Sequence, residues 1–139
     1  MMSIEIVDVE NVLKDFILVM NGWELHYYPE VREKGLITLK EKMKQDLDAI
    51  FDCFCTKKER KQGRQMSLLC SDPPEYSPTE IFLNSCISGS KAVISTQQTS
   101  GFKNRYRYTF GLKNQQWFID KKEWLDEEEG MERWRPAYL

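Results

Sequence analysis

The sequence of 139 residues lacks the short motifs by which many enzymes are identified. It contains no phosphate-binding loop, no dinucleotide-binding glycine turn and no serine nucleophile elbow. Its single histidine, His26, excludes a histidine-rich metal site, and its carboxylates lack the spacing of an EF-hand. We therefore predict no catalytic residue, no metal site and no cofactor, and we expect that the protein is not an enzyme.

Long hydrophobic runs and a large net charge are also missing. The longest apolar run in the first half of the chain covers residues 16–20, whereas a helix that spans a membrane needs about 20 residues. The N-terminal segment carries Glu5, Asp8 and Glu10 instead of the basic start of an export signal. We therefore expect a cytoplasmic protein without a membrane partner. The net charge of −2 argues against a nucleic-acid partner, because nucleic-acid-binding domains are usually basic.

Cysteine is present at four positions, but its pattern does not predict a disulfide framework or a zinc site. Cys53 and Cys55 lie two positions apart, and no second pair of Cys or His completes a set of four ligands. Without an export signal, we interpret the four cysteines as reduced thiols of a cytoplasmic protein.

The N-terminal part of the chain contains two helical patterns, of which the first covers residues 8–27. Apolar side chains recur there at spacings of three and four, and Asp8 is a suitable N-cap. Pro29 is expected to end this helix, because the residue before a proline avoids helical geometry. Residues 28–36 are then predicted to form a connector that closes at Gly35.

The second amphipathic pattern predicts a helix over residues 38–60. Thr38 and Glu41 have the spacing of a capping box, and apolar residues follow at intervals of three and four. The basic run at residues 57–61 suits the negative end of the helix dipole, and Gly63 suits a C-terminal cap.

Strand patterns separated by turn residues follow the two helices. On the first clear strand, Ile81, Leu83 and Ile87 are expected to share one face. The predicted strands cover residues 79–87, 91–99, 104–112 and 115–124, with residues 65–70 as a further short candidate.

Helices and strands are segregated along the chain, so the predicted fold class is α+β, with N-terminal helices packed on a curved antiparallel sheet. We expect a single domain over residues 1–139. Its helices lie at about 8–60, its strands at about 65–124 and an acidic, aromatic C-terminal segment at 125–139.

A sheet that curls over the helices would enclose a pocket. Tyr106, Tyr108 and Asp120 are the candidates for lining it, because they alternate along two predicted strands. Which face points inward depends on the strand register. Acid–base chemistry needs only one poised carboxylate in a dry pocket. The alternative function is therefore a pocket enzyme of the isomerase or dehydratase kind, or a small-ligand-binding protein.

The C-terminal segment concentrates carboxylates and tryptophans. One interpretation is a solvated acidic turn whose aromatic residues pack back onto the body of the protein. The other is a surface that binds a basic partner, with an exposed tryptophan as its anchor. Under the second interpretation, the partner-binding residues are Trp124, Asp126, Glu127, Glu128, Glu129, Glu132 and Trp134.

Features spread over residues 8–124 together have the order of a known fold family. An aromatic N-terminal helix ends in the Gly-Trp-Glu of residues 22–24, and a second helix and a small-residue strand through residues 88–94 follow. A strand pair then covers residues 106–110 and 116–120. In this order the chain resembles the nuclear transport factor 2-like superfamily, and within it the bacterial immunity proteins of polymorphic toxin systems. Many members have three helices before the sheet, whereas two are clear here.

The resemblance implies an immunity protein that binds the C-terminal toxin domain of a cognate protein from the same bacterium. It would block the toxin in the cytoplasm by covering its active site or substrate surface. If the toxin has a basic cleft, as a nuclease does, the acidic C-terminal segment would occupy that cleft as a polyanion mimic. The sheet face of this superfamily often pairs, so a homodimer is a further expectation. A regulatory binding module without a toxin is a third interpretation.

Overall fold

The computed structural model describes residues 6–58, Arg60 and residues 68–139. Within these ranges the chain forms two helices followed by five strands, which confirms the predicted α+β class. Helix α1 covers Ile6–Lys34 and helix α2 covers Leu36–Phe54. The strands are β1 (Ile81–Ser88), β2 (Lys91–Gln97), β3 (Arg105–Lys113), β4 (Gln116–Asp126) and β5 (Arg133–Ala137), with a short 3-10 turn at Glu128–Gly130.

The five strands form one antiparallel meander in which every strand pairs with its neighbour along the chain. Strands β1 to β4 confirm the four predicted strands, with small shifts at their ends. The short candidate strand is not found in its described part, residues 68–70. Residues 65–67 and the predicted cap Gly63 lie outside the described residues. Strand β5 was not predicted.

Helix α1 continues through Pro29 to Lys34, so the predicted connector over residues 28–36 is wrong. Proline removes one backbone donor and normally ends a helix. Pro29 lies on the exposed side of α1, however, and contacts on the other side hold the helix together. There the Tyr27 hydroxyl donates a hydrogen bond to the carboxylate of Asp46 on α2. Packing against α2 therefore outweighs the local preference of proline.

The start of α2 also differs from the prediction. The helix begins at Leu36, because Gly35 alone joins the two helices with a φ of 85°. This left-handed conformation is one that glycine adopts without steric cost. Thr38 consequently lies inside the helix, and the predicted capping box with Glu41 is wrong.

The end of α2 is set by the sheet. The helix ends at Phe54 instead of residue 60, because Cys55 becomes extended and forms a β-bridge with Ile119 of β4. Lys58 therefore lies outside the helix, whereas the prediction had placed it near the last turn. A long-range backbone contact, which local spacing does not encode, decides this boundary.

The core lies between the helices and the inner face of the sheet. The predicted apolar face of α1 is buried and meets α2 and the sheet. The Phe16 ring packs edge-to-face against Phe51 and Tyr76, with ring centroids 6.1 and 5.5 Å away. The largest fully buried apolar side chains besides these are Leu13, Met20, Met43, Leu47, Ile94, Tyr108, Phe110 and Ile119.

The predicted common face on β1 is wrong. Ile81 and Leu83 are 51% and 49% exposed, whereas Ile87 packs against the core. The register with β2 shifts between Phe82 and Asn84, as in a β-bulge. One extra residue at a bulge reverses the faces of the residues that precede it.

Candidate functional site

The candidate site lies on the last hairpin of the sheet, formed by β4 and β5. Leu125 pairs with Trp134, and Asp126 pairs with Arg133 where the hairpin closes. The predicted solvated segment therefore contains an ordered strand. Strand β5 is at the edge of the sheet, which is where Pro136 is tolerated, because a proline cannot donate to a second neighbouring strand.

The strand register places the two predicted tryptophans on opposite faces of the sheet. Trp124 pairs with the buried Tyr106, so it lies on the inner face and packs against the core. Trp134 pairs with Leu125, which is the next residue along β4 and therefore lies on the outer face. The two tryptophans cannot belong to one flat contact surface.

Asp126 is occupied inside the hairpin. Its carboxylate accepts hydrogen bonds from Nε of Arg135 and, at 3.1 Å, from the backbone N–H of Glu128. These two hydrogen bonds lower the pKa of Asp126 below its ordinary value. The carboxylate therefore fixes the turn to β5.

The other described carboxylates of the turn face solvent. Glu127, Glu128 and Glu132 are exposed, and none of them has an ion-pair partner among the residues that the structure describes. Glu129 belongs to the same 3-10 turn. The turn thus gathers negative charge at one end of the sheet.

Arg107 connects this hairpin to β3 on the outer face, and the sequence had not indicated it. Its guanidinium lies 4.4 Å from the centroid of the Trp134 ring, and its Nε donates to Oε1 of Glu123 at 3.0 Å. Arg107 and Glu123 are directly paired across the two strands. The alternation of β3 was the signal for it, since Tyr106 and Tyr108 point inward and Arg107 must point outward.

Tyr106 and Tyr108 lie on the inner face, where they surround a lysine that the sequence analysis had not considered. The Nζ atom of Lys122 is 4.0 Å from the ring centroid of Tyr106 and 5.4 Å from that of Tyr108. It is also 4.4 Å from the ring of Tyr76. Lys122 is buried to 2% exposure, so these cation–π contacts are desolvated.

Two carboxylates accompany Lys122 below the sheet. Oε1 of Glu75 is 3.6 Å from Nζ of Lys122, and Oε2 of the buried Glu80 accepts a hydrogen bond from Thr96 at 2.7 Å. Burial raises the pKa of Glu80, and it also raises the pKa of Tyr108. The tyrosines that were candidates for lining a pocket therefore enclose a side chain of the protein itself.

The hydrogen bonds of Asp120 lead away from these tyrosines. Its Oδ1 accepts from Oγ1 of Thr56 at 2.9 Å and from Nζ of Lys58 at 3.2 Å, beyond the end of α2. The pKa of Asp120 lies below its ordinary value. Partial burial alone would raise this pKa, but the hydrogen bonds from Thr56 and Lys58 outweigh that effect. A register shift between Thr109 and Phe110 leaves Asp120 without a cross-strand partner on β3.

The described residues contain neither a metal site nor a helix that could span a membrane. No group of three or more His, Cys, Asp or Glu side chains in these ranges has the arrangement of a metal site. No helix among the same residues is long and apolar enough to cross a membrane.

Comparisons with known proteins agree on one family. The family described as "NTF2 fold immunity protein" matches residues 8–135. Immunity protein RhsIA of Dickeya dadantii (strain 3937) is 54% identical over 119 residues, which are 86% of this chain and 88% of that protein. No solved structure matches the chain. Both matches are described as immunity proteins, which confirms the resemblance and the prediction of a non-enzyme. The chain therefore belongs to the NTF2 fold immunity protein family.

Proposed function

We propose that this immunity protein binds a cognate toxin in the cytoplasm and neutralises it by covering the toxin's active site or substrate surface. The proposed partner is the C-terminal toxin domain of a larger protein from the same bacterium. The observation that supports this site is the turn between β4 and β5, where Glu127, Glu128 and Glu132 are exposed.

The exposed carboxylates of the turn suit a partner with a basic surface. Charge complementarity of this kind steers encounter and suppresses wrong partners. An enzyme that acts on nucleic acid or another polyanion needs a basic cleft for its substrate. We therefore propose that the acidic turn occupies such a cleft in the substrate's place.

The outer face of the hairpin supplies a second kind of contact. Trp134 is half-buried under Arg107, and tryptophan and arginine are the residue types most enriched among interface hot spots. In this proposal Glu127, Glu128, Glu132 and Trp134 contact the toxin. Trp124 and Asp126, with Arg135, act from the inner face by positioning the hairpin, and Glu129 belongs to the acidic turn.

The test is a charge reversal of the three exposed carboxylates, Glu127→Lys, Glu128→Lys and Glu132→Lys in one variant. The binding partner is the purified C-terminal domain of the proposed cognate toxin, and the dissociation constant is measured by calorimetry at two salt concentrations. We expect binding to weaken at least about tenfold, which corresponds to about 1.4 kcal/mol. We also expect the salt dependence of binding to become smaller.

A matched control separates the position of these charges from net charge. Glu33, Glu41 and Asp52 are exposed on the helices, so Glu33→Lys, Glu41→Lys and Asp52→Lys change the net charge by the same amount. We expect this control to bind the toxin nearly as the wild type does. Equal weakening by both variants, or affinity unchanged within a few tenths of a kcal/mol by the first, contradicts the proposed site.

The cysteines bear on the proposed compartment, and the oligomeric state requires its own measurement. None of the four cysteines is in a disulfide, and Cys53 and Cys86 are exposed, which suits a reducing compartment. The oligomeric state of the chain without toxin is measured by sedimentation velocity. A species of twice the chain's mass supports the predicted homodimer.

A further inference from the structure

The loop between β2 and β3 presents a phenylalanine to solvent. Phe102 is 92% exposed, although a phenylalanine gains from leaving water. A single exposed apolar residue is common on protein surfaces. Its meaning here depends on how the loop is held and on what surrounds it.

Hydrogen bonds fix the loop that carries Phe102. The backbone N–H of Gln98 donates to the carbonyl of Asn104 at 2.9 Å, and that of Lys103 donates to the carbonyl of Ser100 at 3.1 Å. The side chain of the buried Gln98 accepts from the backbone N–H of Asn104 at 3.2 Å and donates to the carbonyl of Glu75 at the same distance. Phe102 is therefore presented on a preorganised loop.

A groove of about 710 Å³ lies beside this loop. Phe102 forms one side of it, and Pro73 and Pro74 stiffen another. Leu69 and Tyr138, which also line it, are 65% and 53% exposed. The groove thus combines an exposed apolar rim with walls of restricted mobility.

The charged residues that line the groove are both acidic. They are Asp72, which is exposed, and Glu75, which is paired with Lys122. Among the described residues, Asp72 has no ion-pair partner. This charge and the apolar rim complement an apolar side chain that stands next to a lysine or arginine.

The groove and the acidic turn lie at the same end of the sheet. Tyr106 at the start of β3 pairs with Trp124 near the end of β4. The loop before β3 and the turn after β4 therefore leave the sheet side by side. A partner that covers the acidic turn would therefore also reach the groove.

We infer that Phe102 and its groove dock an apolar side chain next to a basic residue on the toxin, so that the toxin interface extends from the acidic turn across this end of the sheet. This inference rests on the proposed function, because the occupant is the same toxin domain. Phe102 is the apolar anchor of that interface, and Asp72 pairs with the basic residue.

The first experiment replaces Phe102 and measures affinity for the same purified toxin domain. Phe102→Ala is expected to weaken binding at least about tenfold, which is more than most interface residues cost when truncated. Ile37 on α2 is 94% exposed, so Ile37→Ala is the matched control and is expected to change affinity less than about twofold. Both variants are expected to keep the wild-type melting temperature, because neither side chain is buried.

Charge at the groove is tested in the same assay. Asp72→Lys is expected to weaken binding more than Asp52→Lys, which makes the same charge change at an exposed position of α2. Equal affinities of Phe102→Ala and Ile37→Ala, with wild-type binding intact, overturn the inference and leave the acidic turn as the toxin site. Loss of toxin binding by the wild type itself contradicts the proposed function and the inference together.

The identity of the occupant is read by crosslinking. A photoreactive benzoylphenylalanine at position 102 is expected to crosslink to the toxin domain when both chains are co-expressed, and the same group at position 37 is not. A crosslink at 102 between two copies of this chain, or none in the presence of bound toxin, overturns the inference.

Discussion

Two groups of charged residues, one below the sheet and one at its end, have opposite environments. The inner group consists of Lys122, Glu75 and Glu80 below the sheet. Lys122 lies against tyrosine rings and 3.6 Å from Glu75, and Glu80 is buried. The outer group consists of Glu127, Glu128 and Glu132, which lie in the β4–β5 turn and face water. Lys122 and Glu80 are buried among partners that the chain itself supplies, and Glu75 is half-buried and paired with Lys122.

Burial separates the charges that stabilise the fold from those that are available to a partner. A buried charge is tolerated only when the protein pairs it, so substitutions in the inner group are expected to change stability. An exposed charge contributes little to stability, and it keeps its capacity to bind another molecule. Asp126 shares features of both groups. It belongs to the acidic run in the sequence, but its contact with Arg135 makes it part of the fold.

The largest effect is expected from Lys122→Met. Methionine has a similar length, but it removes the cation from between the tyrosine rings and leaves the carboxylates of Glu75 and Glu80 without it. Removing one member of a buried charged group typically costs about 3–5 kcal/mol. We expect a loss of about 3 kcal/mol, at the low end of this range because Glu75 is partly exposed, measured by urea denaturation.

The neighbouring residue provides the control for this prediction. Lys121 is exposed on the other face of β4, so Lys121→Met is expected to change stability by less than about 0.5 kcal/mol. If Lys122→Met is as stable as the control, the inner group does not contribute to the free energy of unfolding, and this prediction is wrong.

A smaller loss is expected from Asp126→Asn, which tests the residue between the two groups. The substitution weakens the interaction with Arg135, so the melting temperature at pH 7 is expected to fall. The folded pKa of Asp126 lies below its ordinary value of 3.8, so its contribution is present above that value and is lost as pH falls through the folded pKa. The difference from wild type should therefore shrink in acid.

A control for Asp126 comes from the turn itself. Glu127→Gln removes an exposed charge one residue away, and its melting temperature is expected to equal that of the wild type at pH 7 and in acid. A large fall in the melting temperature of Glu127→Gln, or none in that of Asp126→Asn, would contradict the assignment of Asp126 to the fold and of Glu127 to the exposed group.

The sequence predicted the positions of β1 to β4 because side-chain alternation is a local property, but it did not predict the bulge in β1 or the edge strand β5. The tyrosines of β3 and the order of β1 to β4 follow from that alternation. The helix boundaries were not predictable in this way. Pro29 is overridden by the contact of Tyr27 with Asp46, and α2 ends where Cys55 meets Ile119 of β4.

The candidate site was predicted in part for the same reason. The acidic run is visible in the sequence, but its division depends on β5, whose pairing puts Trp124 and Trp134 on opposite faces. Lys122 and Arg107 looked like ordinary surface charges in the sequence. Their contacts arise from strands that are distant in the chain. Alternation along β3 indicates only that Arg107 points outward, and no local pattern shows what Lys122 contacts.

The smallest effect is expected from Glu80→Gln, and it depends on pH. Burial raises the folded pKa of Glu80 above its ordinary value of 4.5, so the stability of the wild type includes a contribution that is present below 4.5 and is lost as pH rises through the folded pKa. Glutamine keeps an oxygen that accepts the hydrogen bond from Thr96, and it has no proton to lose. Lys122 and Glu75 are the charged groups near Glu80, and both remain in the variant.

We therefore expect the melting temperature of Glu80→Gln, relative to the wild type, to rise between pH 4 and pH 7. Glu33→Gln, at an exposed position of α1, is the control, and its difference from wild type is expected to stay flat over the same range. A difference for Glu80→Gln that is constant with pH would mean that Lys122 compensates the buried carboxylate fully. The inner group would then be a balanced ion cluster, and the contrast with the solvated turn would rest on burial alone.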